Sequence, residues 1–151
     1  EGDGLSMWQV KRFNELTVTD LYQLLALRAQ VFVVDQQRVY QDPDGRDQKA
    51  IHIFNRDEDG EIVAYARVFL KDDLVSFGRV VASNKVRGQG FGGQLLDKIM
   101  QTIQQEFPGR QIEIEAQVQV EDFYKRVGFV SEGEPFIYKS TPHIKMVHEP
   151  M

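Results

Sequence analysis

Between Gly78 and Gly93 the chain reads GRVVASNKVRGQGFGG, a β-branched run that passes into a glycine-rich loop and then opens an amphipathic helix. Residues of these types can hold a phosphate without a metal. A helix N-terminus leaves N–H groups unpaired at a partially positive end, and glycines let an anion reach them. Arg87 adds a formal positive charge at the mouth of the loop. Spacing separates the possible loops. A Walker A loop closes on Gly-Lys-Ser/Thr, whereas Gly93 is followed by Gln94 and Leu95. Gly88, Gly90 and Gly93 satisfy GxGxxG, but a dinucleotide fingerprint puts its first glycine directly after the strand, and Ala82 to Arg87 intervene here. What remains is an arginine followed by alternating glycines (Arg87, Gly88, Gln89, Gly90, Phe91, Gly92) between a strand and a helix, with a ligand-free glycine turn as the alternative.

The other residues able to do chemistry are scattered. Cysteine is absent, which removes disulfides, thiolate metal sites and a cysteine nucleophile. Two of the three histidines, His52 and His143, stand out as bases because imidazole titrates near neutrality. Asp42, Asp44 and Asp47 crowd one polar loop, YQDPDGRD, where they read as a solvated surface or as an acidic wall suited to an ammonium group. The same loop lacks the later ligand spacing and terminal glutamate of a calcium-binding EF-hand, so no metal is expected.

Positioning these residues requires an ordered set of elements. Trp8 to Phe13 alternates as a first strand, and Thr17 or Thr19 caps a helix through Leu21, Leu24, Leu25 and Arg28. Val31 to Val34 reads as the buried end of that helix, and Gln41 to Lys49 as a loop. Ile51 to Arg56, Ile62 to Leu70 and Leu74 to Val81 form a three-stranded antiparallel meander with short turns. The helix after the glycines carries Phe91, Leu95, Leu96, Ile99, Met100 and Ile103 on one face and stops at Pro108 and Gly109. Gln111 to Gln117 alternates as a strand, a short helix carries Phe123 and Tyr124 and ends at Gly128, and strands near Phe136 to Tyr138 and His143 to Val147 close the chain. The fold class is α/β: a mixed, mainly antiparallel sheet flanked by helices, in a single domain.

Length and composition suit that reading. A chain of 151 residues, 42% hydrophobic, can bury one core. It shows no membrane-length apolar run and no signal-like segment, so a cytoplasmic location is the expectation. A formal charge of −5 argues against nucleic acid as a partner. Glu1 to Ser6 reads as an expression scar, which leaves residues 7–150 as the domain.

The strand, arginine-glycine loop and helix resemble the pyrophosphate loop of the GNAT family of acyl-CoA N-acetyltransferases. FYKRVGF at Phe123 to Phe129 is similar to that family's late helix with its glycine and buried aromatic. More narrowly, the chain resembles the ElaA-like branch in LRAQVFVVDQ (Leu27 to Gln36), Tyr40, Asp42, Asp44, His52, AYAR (Ala64 to Arg67), GRVV (Gly78 to Val81), Ala116 with Gln117, and PHIKM (Pro142 to Met146). The match covers nearly everything after Met7 and departs from the branch at Lys139 to Thr141, just before Pro142 and His143.

The resemblance implies acetyl-CoA as cosubstrate, its pyrophosphate on Arg87 to Gly93 with N–H groups from Gln89 and Phe91, and its pantetheine arm paired with Val80 and Val81. It implies Tyr124 as the acid that protonates the departing thiolate, and a primary amine on a small molecule or peptide as acceptor. It sets Glu113, Glu115 and Gln117 on a strand beside the cleft, with Gln117, His52 and His143 as possible acceptor or base positions and the segment holding Asp42, Asp44 and Asp47 as a pocket wall. A non-catalytic acyl-CoA-binding or interaction module on the same fold is the alternative.

Overall fold

A computed structural model of the chain describes residues 8–151; residues 1–7, including the Glu1 to Ser6 stretch set aside above, lie outside the described residues. Seven strands form one sheet in the order β1-β2-β3-β4-β5-β7-β6. The strands are β1 (Gln9–Arg12), β2 (Ile51–Arg56), β3 (Ile62–Lys71), β4 (Leu74–Ala82), β5 (Ile112–Gln117), β6 (Val130–Tyr138) and β7 (Thr141–His148), with helices α1 (Val18–Arg28), α2 (Phe91–Glu106) and α3 (Glu121–Lys125). Every pairing is antiparallel except β4 with β5, the pair that α2 connects.

Strand alternation divides the interior between two faces. Ile51 and Ile53 of β2, Ala64, Ala66 and Val68 of β3, and Val75 and Phe77 of β4 turn toward α2 and α3. There they meet Leu95, Leu96, Ile99 and Ile103, the stripe expected from the helical period. Phe54 and Tyr65 point the other way and pack with Leu24 of α1 and with Phe32. Each fully buried aliphatic side chain contributes about 1.5–3 kcal/mol, so the α2 stripe is a principal anchor of that helix.

Thr17 caps α1 with a reciprocal pair of bonds: its Oγ1 accepts from the Asp20 amide at 2.9 Å, and Asp20 Oδ2 accepts from the Thr17 amide at 3.0 Å. Beyond Arg28 the helix continues as a π-helical segment, Ala29–Asp35. The expected buried helix end is therefore helical but mostly open: Phe32 is its buried residue, and Val34 is exposed. β6 begins at Val130, well before the expected Phe136, because an outermost strand tolerates the irregularity between Glu132 and Phe136 that Gly133 and Pro135 introduce. Among the described residues no helix is long and apolar enough to cross a membrane.

Candidate active site

The sheet opens at its one parallel junction. β4 and β5 register only at Val75 and Ile112, so the edge of β4 from Gly78 onward has no strand beside it. A cleft of about 380 Å³ occupies the notch and is lined by Gly78 to Ala82 on one side and Ile114 to Gln117 on the other. A bulge re-aims this edge. Tyr65 stands opposite Val81 and Arg67 opposite Gly78, which leaves one extra β4 residue between the rungs, and Arg79 takes a positive φ of 53°. The extra residue reverses the alternation, so Val75 and Phe77 face the α2 core whereas Val81 packs with the α1 cluster, and Val80 lies against the α2 side.

At one end of the cleft the glycine loop runs through a 3₁₀ turn, Asn84–Val86, into α2. Gly88 and Gly90 have φ near +80°, a region that L side chains rarely adopt, and Gly90 is the N-cap of α2. The first helical amide to find a carbonyl is that of Gln94, which donates to Gly90 O at 3.1 Å. The amides of Gly88, Gly90, Phe91, Gly92 and Gly93 have no backbone acceptor among the described residues. Gln89 corrects an expectation: its amide donates to Val86 O at 3.2 Å and closes the turn. A Cβ at Gly88, Gly90 or Gly93 would meet nothing within 4 Å, so the approach to these amides is open, while a Cβ on Gly92 would face Phe123 at 3.9 Å. With exposed Arg87 on the rim, this donor set fits a pyrophosphate.

Tyr124 lines the cleft from α3. Phe77, Phe123 and Phe129 surround its ring at centroid distances of 5.8, 5.1 and 6.1 Å, and its hydroxyl has no hydrogen-bond partner among the described residues. Burial pushes the phenol upward from its ordinary pKa, so it stays protonated throughout the physiological range. His143 and Gln117, directly opposed on β7 and β5, also line the cleft. His143 donates from Nδ1–H to Thr141 O at 2.8 Å, which leaves Nε2 as the ring nitrogen free of a protein partner among the described residues. Phe136 stacks on the ring and Tyr138 meets it edge-on. The turn behind it, Lys139 and Ser140, has positive φ at both residues and is pinned by Arg38, whose Nε donates to Lys139 O at 2.8 Å.

His52 lies elsewhere. It is fully buried, accepts at Nδ1 from Tyr65 Oη at 2.6 Å and donates from Nε2 to Asp47 O at 2.9 Å. Burial lowers its pKa. It does not line the cleft, so it supports the wall behind the site instead of serving as its base.

The three aspartates do not form an open acidic wall. Asp42 accepts from Arg28 Nε and Arg79 Nε, each at 2.7 Å, and from Tyr40 Oη at 3.1 Å. Asp47 accepts from Arg28 at 2.8 Å and Arg67 at 2.9 Å. Asp44 takes both terminal nitrogens of Arg67, at 2.8 and 2.5 Å. Burial alone would raise the Asp44 and Asp47 carboxyls, but the guanidinium bonds outweigh it and hold both below the usual carboxylate range. Three arginines from α1, β3 and β4 thus match three aspartates one for one. Arg28, Arg67, Asp42 and Asp47 are buried and Asp44 closes the exposed end of the array; removing a buried partner such as Asp47 costs about 3–5 kcal/mol, since it strands a charge. Arg28, in register with Leu21, Leu24 and Leu25, and Arg67, inside an otherwise apolar strand, were the available signals: a charge on a buried face needs a partner.

An α/β sheet splayed at a parallel junction, followed by a loop of unpaired amides and lined by a buried tyrosine, matches a known family. Residues 19–150 match the acetyltransferase (GNAT) domain, and the chain belongs to the GNAT family of acyl-CoA N-acyltransferases. Within it the chain is ElaA-like: it is 40% identical to ElaA of Escherichia coli over 147 residues, covering 94% of this chain and 95% of that protein. It is 36% identical to a UPF0039 protein of Synechocystis, with 93% of each covered. The crystal structure of Escherichia coli ElaA superposes with a TM-score of 0.89 at 39% identity, covering 94% of this chain and 99% of that one. An acyl-CoA N-acyltransferase from Pseudomonas aeruginosa gives the same TM-score at 35% identity, over 93% and 97% of the two chains.

Proposed function

We propose that this protein transfers the acetyl group of acetyl-CoA to a primary amine of a small molecule or peptide by direct attack of the amine on the thioester. One observation carries the reading: the open edge of β4, Arg87 and Tyr124 line one cleft, and directly after Arg87 the loop holds the unpaired amides of Gly88 and Gly90 to Gly93. The loop and Arg87 would hold the pyrophosphate. The strand edge at Val80 and Val81 would pair with the amides of the pantetheine arm as it would with another strand, which aims the thioester at Tyr124.

Acetyl-CoA supplies a reactive acyl thioester. The amine nitrogen forms the new C–N bond, the C–S bond breaks, and the sulfur takes a proton from Tyr124 Oη. A phenol raised by burial is a reluctant donor, but its proton is always present, and the thiolate leaves into the same low-dielectric pocket. The amine must lose a proton before or during attack. Nε2 of His143, directly or through a water, is the acceptor best placed for it, with Gln117 beside it to orient the amine.

The test is release of free thiol from acetyl-CoA against a broad amine panel that includes peptide N-termini and polyamines, together with calorimetric titration by CoA. Turnover with tight CoA binding is the expected result. Tight binding with no turnover on any amine would make the chain a binding module on this fold.

A further inference from the structure

The cleft end remote from the glycine loop holds a guanidinium that the protein leaves without a carboxylate. Arg28, Arg67 and Arg79 are matched by Asp42, Asp44 and Asp47. Arg38 spends its donors on main-chain carbonyls and Gln36. Lys71 stands 4.0 Å from Glu115, a long and exposed contact. Arg46, which lines the cleft, alone among these cations has no acidic partner and no side-chain hydrogen bond among the described residues, and its guanidinium lies 4.7 Å from the centre of the Phe69 ring. Such stacking fixes the planar fork and leaves its donors free for a ligand. Phe69 pairs with Ser76, five β4 residues before Val81, so the fork sits roughly 17 Å along the strand from the loop end.

We infer that the acceptor carries, besides its amine, an oxyanion (a carboxylate or a phosphate) that docks on Arg46, with Lys71 at the rim. The inference rests on the acetyl-transfer reading for its amine and stands on the charge distribution for its anion. Among the described residues a cationic acceptor finds a single acid at this end outside the paired aspartates, Glu115, and Lys71 already faces it at 4.0 Å. A planar fork on an aromatic face suits an oxyanion, which it can grip through two parallel N–H bonds.

The test is calorimetric titration of the CoA-saturated protein with primary amines of graded chain length in four matched series: ω-amino carboxylates, ω-aminoalkyl phosphonates, ω-amino amides and diamines. A carboxylate or phosphonate series should bind more tightly than the amides and diamines, and Arg46→Gln should weaken that series by about tenfold or more while CoA affinity stays unchanged. The tighter of the two anionic series names the oxyanion. Diamines or amides binding as well as the anions, no amine binding at all, or anion affinity indifferent to Arg46→Gln would each overturn the inference. Thiol release in the same mixtures scores acetyl transfer separately. Arg46-dependent binding without thiol release would sink the transferase reading and leave this one standing, whereas turnover of diamines that ignores Arg46 would do the reverse.

Discussion

Tyr124 has an oxygen that the protein does not use for itself. Its ring is held on three sides by aromatics, yet its hydroxyl makes no hydrogen bond to the described residues and remains available to a ligand in the cleft. Tyr124→Phe should therefore leave fold and CoA affinity intact and slow acetyl transfer by about 10–1,000-fold, the range for losing one positioned acid. Single-turnover kinetics checks this without interference from product release, and a wild-type transfer rate in the variant would reduce Tyr124 to packing. This residue was legible in the sequence because its neighbours, Phe123 and Phe129, carry the same motif. The roles of Asp42, Asp44 and Asp47 were not. A loop sequence displays its charges but not the arginines that meet them, and these come from α1, β3 and β4, up to 37 positions away.

Among the elements, the junction of the glycine loop with α2 is the part whose sequence and geometry agree most closely. Glycine at a positive-φ helix cap is a local, backbone-level requirement, and local requirements leave a mark in sequence. Arg87→Ala should weaken CoA binding by about 1–3 kcal/mol, the loss of one charge-assisted contact, with the helix unchanged by circular dichroism. Calorimetry that finds equal affinity in the variant would remove Arg87 from the anion site. Substitution at Gly92 is a poorer probe, since its added Cβ would face Phe123 and not the open side of the loop. The regular strands were equally legible from alternation. The π-helical continuation after Arg28 and the early start of β6 were not, because both depend on neighbours: the first on how Phe32 finds the α1 cluster, the second on pairing with β7.

At the scale of the whole molecule the buried charges tie stability to pH. In the unfolded chain His52 takes a proton near pH 6.5, but in the fold it resists one, because burial opposes the charge, Arg28 and Arg67 repel it, and Nδ1 already accepts from Tyr65 Oη. The unfolded state thus binds more protons just below pH 6.5, and stability falls as the pH drops through that window. A second loss follows below about pH 4, where Asp44 and Asp47, held down by their arginines, become protonated last in the folded state. Urea midpoints between pH 8 and 5 should decline in the wild type and decline less in His52→Gln; an unaltered slope would place the upper transition on another group. The notch between β4 and β5 has one more consequence, for self-association. A free strand edge normally invites a foreign strand and, through it, aggregation. Here the richest unpaired edge is interior to the sheet, walled by β5 across the gap, so another chain cannot lie flat against it. Of the two outer edges, β1 is short, Gln9–Arg12, and β6 carries Gly133, Pro135, Glu132 and Glu134 and an irregular register, so each is a poor template. The molecule keeps a hungry backbone edge for a thin ligand while denying it to copies of itself.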